Sequence, residues 1–197
     1  MVKDKKRVLI TGASGLLGAN VALTASKKKD LEVYATYKSH PVRINKCRTF
    51  YLDITHKKEV EQSMLKINPD FVIHTAALAN VDQCQQYKRE AWVINVSGTE
   101  NLVEAVEKIN SRLVYISTDS VFDGRRGWYT EKDRPNPLNY YAKTKLAGEK
   151  IVEGRNGNHT IIRTNIYGWN ITGKFSLAEW VIDGLKNRKT LTMFKDV

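Results

Sequence analysis

The sequence contains few cysteines, few prolines and no long apolar run. Only two of its 197 residues are cysteines and four are prolines. Two cysteines cannot build a disulfide framework, and Cys47 and Cys84 lack the spacing of metal ligands, so we expect reduced thiols and no metal site. No apolar run approaches the ~20 residues of a membrane span, and the lysine-rich start carries no secretory signal. These absences favour a cytoplasmic protein with no membrane partner.

Acidic residues are scarce relative to basic ones. The chain has 32 lysines and arginines against 21 aspartates and glutamates, which gives a formal net charge of +11 at pH 7. Such an excess makes nucleic acid the first partner to consider. The basic residues are scattered in short clusters without interleaved aromatics, so we interpret them as a solvated surface and expect no nucleic-acid partner. A basic cleft would also suit a ligand with several phosphates.

Six short apolar runs alternate with segments of helical spacing. The runs cover residues 8–10, 31–36, 49–52, 71–74, 113–116 and 160–163. Helical spacing starts at residue 16 and recurs over 56–67, 87–109 and 138–152, and a helix (175–185) and a strand (191–194) are expected near the end. Nearly continuous apolar strands that alternate with helices predict an α/β fold with a Rossmann-type doubly wound parallel sheet.

A glycine-rich turn joins the first predicted strand to the first helix. Its glycines have the spacing Gly-x-x-Gly-x-x-Gly, and backbone N–H groups and the helix dipole converge there on one point. Glycines let a pyrophosphate approach such a backbone without a Cβ in the way. The alternative is a turn that only packs the helix on the strand. We predict a dinucleotide site formed by Gly12, Ser14, Gly15, Leu16, Leu17 and Gly18.

The end of the second strand bears on cofactor choice. Dinucleotide sites usually have a carboxylate about twenty residues after the glycines, where it binds the ribose 2′-OH. Residues 35–39 (Ala-Thr-Tyr-Lys-Ser) contain none, whereas Lys38 or Arg43 would attract a 2′-phosphate. The sequence therefore favours NADP(H) and leaves NAD(H) open. The alternative is that Lys38 is an ordinary surface lysine.

Acid–base chemistry is suggested by Tyr141 and Lys145. They are four residues apart at the start of a predicted helix and so share one face. A phenol with a pKa near ~10 is a poor acid or base at neutral pH, and a nearby ammonium lowers that pKa. Ser117 and Thr118 follow the fifth strand, at a carboxyl end where open sheets bind ligands. A hydroxyl there can donate a hydrogen bond to a substrate carbonyl oxygen.

Taken together, these motifs resemble the dTDP-4-dehydrorhamnose reductase family of extended short-chain dehydrogenases/reductases. The resemblance is carried by the glycine spacing after Thr11, by 117–124 (Ser-Thr-Asp-Ser-Val-Phe-Asp-Gly), by 141–149 (Tyr-Ala-Lys-Thr-Lys-Leu-Ala-Gly-Glu) and by 162–164 (Ile-Arg-Thr). It implies hydride transfer from NAD(P)H to the C4 ketone of a nucleotide-linked sugar.

The same resemblance assigns roles in the reaction. Tyr141 would protonate the product oxygen, Thr118 would polarise the ketone, and Lys145 would tune Tyr141 and hold the nicotinamide ribose. Asn95 matches a helix asparagine that supports the lysine through water; the alternative is an ordinary polar helix residue. Dehydratases have Thr-Asp-Glu where residues 118–120 are Thr-Asp-Ser, so simple reduction is favoured over elimination. The serine also replaces the aromatic residue usual in these reductases.

Further cofactor contacts follow from the resemblance. Asp53 and Ile54 match the adenine-contacting segment, and the backbone would pass close to the cofactor at Ala76 and Ala77. We interpret His74, at the end of the fourth strand, as a hydrogen-bonded histidine rather than a metal ligand.

Members of the resembled family are longer than 197 residues. We therefore expect residues 1–165 to form the dinucleotide-binding domain, residues 166–197 to begin a small C-terminal substrate lobe, and the chain to be a fragment of a longer protein. A nucleotide sugar is the expected partner, and a homodimer is left open. The alternatives are another epimerase or reductase of nucleotide sugars, or a non-catalytic subunit similar to the regulatory subunit of methionine adenosyltransferase.

Overall fold

Six parallel strands form the centre of the computed structural model, which describes residues 5–155, 158–173 and 175–192. They are β1 (Lys6–Thr11), β2 (Leu31–Tyr37), β3 (Cys47–Tyr51), β4 (Phe71–His74), β5 (Arg112–Ser117) and β6 (His159–Arg163). Their order in the sheet is β3-β2-β1-β4-β5-β6. This is the strand order of Rossmann sheets, so the predicted fold is confirmed.

Helices connect the strands. They are α1 (Leu16–Ala25), α2 (Lys57–Ile67), α3 (Val81–Gln86), α4 (Lys88–Trp92), α5 (Gly98–Lys108), α6 (Tyr140–Glu153) and α7 (Leu177–Lys186). A π-helical turn (Val93–Ser97) joins α4 to α5. Within the described ranges, no helix is both long and apolar enough to cross a lipid bilayer.

Two hydrophobic cores lie on opposite faces of the sheet. Alternate residues of a strand point to opposite faces, so Leu9 enters one core while Val8 and Ile10 enter the other. The Leu9 core is covered by α2, α5 and α6, and the second core packs against the small residues Ala19 and Ala22 of α1. Because both faces are covered, the sheet edge formed by the strand ends is the surface left for a ligand.

The structure differs from the predicted pattern of helices and strands in three places. The helical segment predicted over 87–109 contains the π-helical turn between α4 and α5. The sequence pattern does not predict α3, because six residues with Asn80 as N-cap are too short for a periodicity. Of the strand expected over 191–194, residues 191 and 192 lie in no regular element, and the other two lie outside the described residues.

Candidate active site

A cleft of about 810 Å³ lies at the carboxyl ends of the strands. The strand order reverses between β1 and β4, the switch point at which doubly wound sheets bind ligands. Thr118 and all the predicted cofactor residues line this cleft, namely Gly12, Ser14, Gly15, Leu16, Leu17, Gly18, Lys38, Asp53, Ile54, Ala76, Ala77, Tyr141 and Lys145. The structure thus brings these residues together in one place.

The glycine turn is shaped by close approach of two strand ends. Gly12 has φ +73°, and a Cβ on it would lie 2.7 Å from the backbone N and Cα of Ala76. Gly18 is equally confined, because a Cβ there would lie 2.7 Å from Oγ1 of Thr75. Gly15 caps α1 without a side-chain hydrogen bond, so the first N–H groups of the helix remain available to a ligand. This cradle of backbone donors fits a dinucleotide pyrophosphate.

Lys38 and Asp53 form an ion pair at the end of the cleft beyond β2 and β3. The Nζ–Oδ2 distance is 2.7 Å, and the carboxylate also accepts hydrogen bonds from the backbone N–H and hydroxyl of Thr55. Burial opposes ionisation of Asp53, but the hydrogen bonds from Lys38 and Thr55 outweigh it and lower the pKa. Lys38 is half-exposed and lines the cleft, whereas Arg43 does not line it.

Thr118 and Tyr141 stand at the other end of the cleft. Thr118 follows β5; its Oγ1 accepts a hydrogen bond from the Ser120 N–H at 3.1 Å and donates one to Asp119 at 3.2 Å. Tyr141 lies in the first turn of α6, which is capped by Asn139. Burial, and then the charges of Cys84 and Asp119, raise the pKa of the Tyr141 phenol.

The spacing of Tyr141 and Lys145 predicts a lowered pKa for the Tyr141 phenol, but in this structure that pKa is raised. Among the described residues, no hydrogen bond joins the Tyr141 hydroxyl to Lys145; instead, Nζ of Lys145 lies 4.0 Å from the ring centroid of Tyr115 on β5. Burial lowers the pKa of Lys145 to about 7, although Glu149 acts in the opposite direction. Sequence reasoning missed Tyr115, because its contact with Lys145 requires β5 and α6 to be packed together.

Asn95 does not line the cleft. It is buried in the π-helical turn, where its amide accepts a hydrogen bond from the Leu78 N–H and donates to the Leu78 carbonyl oxygen and to Thr144. Asn95 thereby ties the loop after β4 to α6, and it acts on the cleft only through those elements.

His74 is enclosed at the carboxyl end of β4. Nδ1 and Nε2 are within hydrogen-bonding distance of the hydroxyls of Thr11 (2.8 Å) and Thr99 (3.1 Å). Burial, followed by the charge of Lys145, lowers the pKa of His74 to about 3. Both ring nitrogens are therefore engaged by protein hydroxyls, in line with the interpretation of His74 as hydrogen-bonded.

The cleft wall also contains residues that the sequence motifs do not single out. They lie at the carboxyl ends of strands, in the loops that follow those ends, or on α4 and the π-helical turn. The switch-point rule for ligand sites indicates this region once the strands are assigned. They include Thr36, Tyr37, Ser39, His40, Thr75, Leu78, Ala79, Glu90, Ile94, Thr164, Asn165 and Ile166.

Comparison with known proteins gives consistent matches. A family profile described as "RmlD substrate binding domain" matches residues 6–197. Over 173 residues the chain is 31% identical to the dTDP-4-dehydrorhamnose reductase of Sinorhizobium fredii. This match covers 85% of this chain and 54% of that protein. Over 171 residues it is 33% identical to methionine adenosyltransferase 2 subunit beta of Xenopus tropicalis. That match covers 83% of this chain and 48% of that protein.

A solved structure agrees with these sequence matches. It is the crystal structure of dTDP-4-dehydrorhamnose reductase from Bacillus anthracis in complex with NADP, with a TM-score of 0.71 and 34% identity. The match covers 84% of this chain and 57% of that one. The chain spans about half the length of the curated relatives it matches.

Proposed function

The chain belongs to the RmlD substrate binding domain family of extended short-chain dehydrogenases/reductases, and on this premise we propose that it is the cofactor-binding part of an NADP(H)-dependent reductase. The proposed substrate is a nucleotide-linked 4-keto sugar, with dTDP-4-dehydrorhamnose as the first candidate. One observation carries the proposal: Thr118, Tyr141 and Lys145 line the same cleft as the glycine turn. A glycine turn that only packed a helix would not require these groups beside it.

The proposed chemistry uses the protonated forms of the site residues. NADPH, when bound, supplies the hydride. Because burial raises its pKa, the Tyr141 phenol keeps its proton at neutral pH and can give it to the oxygen that becomes an alkoxide. The Thr118 hydroxyl accepts a hydrogen bond from the Ser120 N–H and donates one to Asp119. On rotation, the same hydroxyl can donate its hydrogen bond to the ketone oxygen instead. Lys145 would hold the nicotinamide ribose.

The preference for NADP(H) is supported by the charges near the end of β2. Asp53 is a carboxylate at this end of the cleft, and its negative charge is compensated by Lys38 at 2.7 Å. A 2′-phosphate would therefore meet the Lys38–Asp53 ion pair rather than a bare carboxylate. The B. anthracis relative, which was crystallised with NADP, agrees with this preference.

We also propose the division into a dinucleotide-binding domain (1–165) and the start of a substrate lobe (166–197). All six strands lie in the first part, and α7 is the only helix of the second part within the described residues. The proposed boundary falls at the cleft, because Asn165 and Ile166, on either side of it, both line the cleft.

The test is a cofactor titration followed by turnover. We expect NADP(H) to quench or enhance protein fluorescence at lower concentration than NAD(H), and dTDP-4-dehydrorhamnose to accelerate NADPH oxidation. Stronger NAD(H) binding would reject the cofactor choice. Turnover with a UDP-linked sugar and none with the dTDP sugar would favour the epimerase or reductase alternative.

A second candidate function is supported by the similarity to methionine adenosyltransferase 2 subunit beta. In that case the chain would bind NADP(H) but act as a regulatory subunit. Tight NADP(H) binding without oxidation by any keto sugar, together with co-purification of a methionine adenosyltransferase catalytic subunit, would favour this candidate over the reductase.

A further inference from the structure

Both the ring and the hydroxyl of Tyr115 contact α6. It is fully buried on β5, its ring centroid is 4.0 Å from Nζ of Lys145, and its hydroxyl donates a hydrogen bond to the Lys145 carbonyl oxygen at 3.3 Å. The hydroxyl also fills the space beside Gly148, where any Cβ would collide with it. One tyrosine therefore fixes both the backbone of this helical turn and the position of the lysine head group.

The other groups around Lys145 leave its charge largely uncompensated. Glu149 lies one turn along α6, but its carboxylate is bound by Arg163 of β6 at 2.7 Å. His74 on β4 is neutral at neutral pH, and Tyr141 on α6 keeps its proton. Within the described part of the chain, no carboxylate forms a salt bridge with Lys145. The Tyr115 ring is thus the group that meets the ammonium directly.

We propose that Tyr115 is a positioning residue whose ring holds the protonated Lys145 ammonium at the floor of the cleft. The face of an aromatic ring carries negative potential and attracts a cation most strongly where water is excluded. Burial alone favours the neutral amine. The ring therefore counteracts burial and favours the charged form of the amine, the form that would bind a cofactor ribose. The use of that charge rests on the proposed function, whereas the contact itself does not.

The test keeps the shape of the side chain and changes the electrons of its ring. Tyr115→Phe retains the aromatic face, and a fully fluorinated phenylalanine at position 115 retains the ring while reversing its electrostatic potential. Both substitutions keep an aromatic ring between β5 and α6, and circular dichroism checks that the fold is retained. Lys145 is then labelled with trace acetic anhydride from pH 5 to 10, and the extent of labelling is read by mass spectrometry of its peptide.

We expect the labelling midpoint of Tyr115→Phe to match that of the unmodified protein. The fluorinated variant should have a midpoint about one pH unit lower, a tenfold loss of proton affinity equal to about 1.4 kcal/mol. Equal midpoints in all three proteins would overturn the proposal, and so would an equal shift in both variants, because that would assign the effect to the hydroxyl.

NADPH oxidation is measured on the same three proteins. If the midpoints shift as expected but none of the proteins oxidises NADPH, the assignment of Tyr115 stands and the proposed reductase function fails. If turnover occurs and the midpoints coincide, the reductase function stands and the role of Tyr115 is rejected.

Discussion

The cleft contains one lysine at each end, and the two lysines are held in different ways. Lys38 is 48% exposed and pairs with a carboxylate at 2.7 Å, whereas Lys145 is 4% exposed and faces an aromatic ring. Lys38 therefore contacts both solvent and a counter-charge. Lys145 is shielded from solvent and, among the described residues, forms no salt bridge. At the Lys38 end, we expect the charge to select among the ligands that reach it. At the Lys145 end, the protein itself has to stabilise the charge before any ligand arrives.

The two ends also differ in what builds them. At the glycine turn the groups available to a ligand are backbone N–H donors, held in place by close packing of Gly12 on Ala76. At the chemical end the groups are side chains from β5 and α6. Backbone sites tolerate changes of surface residues, whereas side-chain sites depend on individual atoms. The following substitutions test this difference.

The largest effect is expected at the chemical end. Tyr141→Phe removes one hydroxyl, and the loss of a positioned acid should lower kcat by 10²–10⁴-fold. The Kd for NADP(H) should change little, since the phenyl ring remains. Steady-state NADPH oxidation and fluorescence titration measure the two quantities. The control is Tyr140→Phe, the neighbouring residue, whose ring near Lys88 is retained. Near-full activity of Tyr141→Phe would remove Tyr141 from the mechanism.

Adding a single methyl group at Gly12 should disrupt the backbone cradle. Gly12→Ala places a side chain at φ +73° and brings its Cβ to 2.7 Å from the backbone of Ala76. The left-handed conformation costs roughly 1–2 kcal/mol and the overpacking roughly 1–3 kcal/mol, so the free energy of unfolding should fall by about 2–5 kcal/mol.

Urea denaturation measures the loss of stability in Gly12→Ala, and titration should show a weakened affinity for NADP(H). Gly127→Ala is the matched control, because none of the described atoms would lie within 4 Å of the added Cβ. A Gly12→Ala variant as stable as Gly127→Ala would contradict the close approach of the two strand ends.

The buried lysine should leave a signature in the pH dependence of stability. Its pKa is about 7 in the folded protein and ~10.4 in an unfolded chain. Between these values the unfolded state binds more protons, so the contribution of Lys145 to stability rises with pH. The difference in free energy of unfolding between the unmodified protein and Lys145→Met should therefore increase from pH 7.5 to 8.5, by at most about 1.4 kcal/mol. A constant or decreasing difference would mean that folding does not lower the pKa of Lys145.

The sequence predicts the fold and the backbone half of the cleft better than the side-chain half. Strand and helix periodicity and glycine spacing are local signals, and they lead to the six strands and to the cradle at Gly12 and Gly18. The contact of Tyr115 with Lys145 joins residues 30 positions apart. It depends on how β5 and α6 pack, which no local pattern encodes.

The ion pair at the other end is closer to being predictable. Residues at the ends of β2 and β3 are neighbours, since Tyr37 and Tyr51 are paired in the sheet. Lys38 and Asp53 follow these two residues closely, so a known strand order suggests their contact. Local patterns do not supply the order of the strands, however, and without it Lys38 is interpreted only as a ligand for phosphate.

The smallest effect is expected at Lys38, where solvent weakens the interaction of its charge. Lys38→Ala removes a half-exposed ammonium and leaves Asp53 without its counter-charge. A 2′-phosphate would lose an attraction and meet a carboxylate, so the affinity for NADPH should fall by about threefold to tenfold, within the range for a partly exposed charged contact. The affinity for NADH should fall less, because its adenosine ribose carries no 2′-phosphate. Lys58→Ala, an exposed lysine of α2 that does not line the cleft, serves as the control. Fluorescence titration of both cofactors with both variants gives the ratio of Kd values. An unchanged ratio in Lys38→Ala would show that Lys38 serves only to neutralise Asp53.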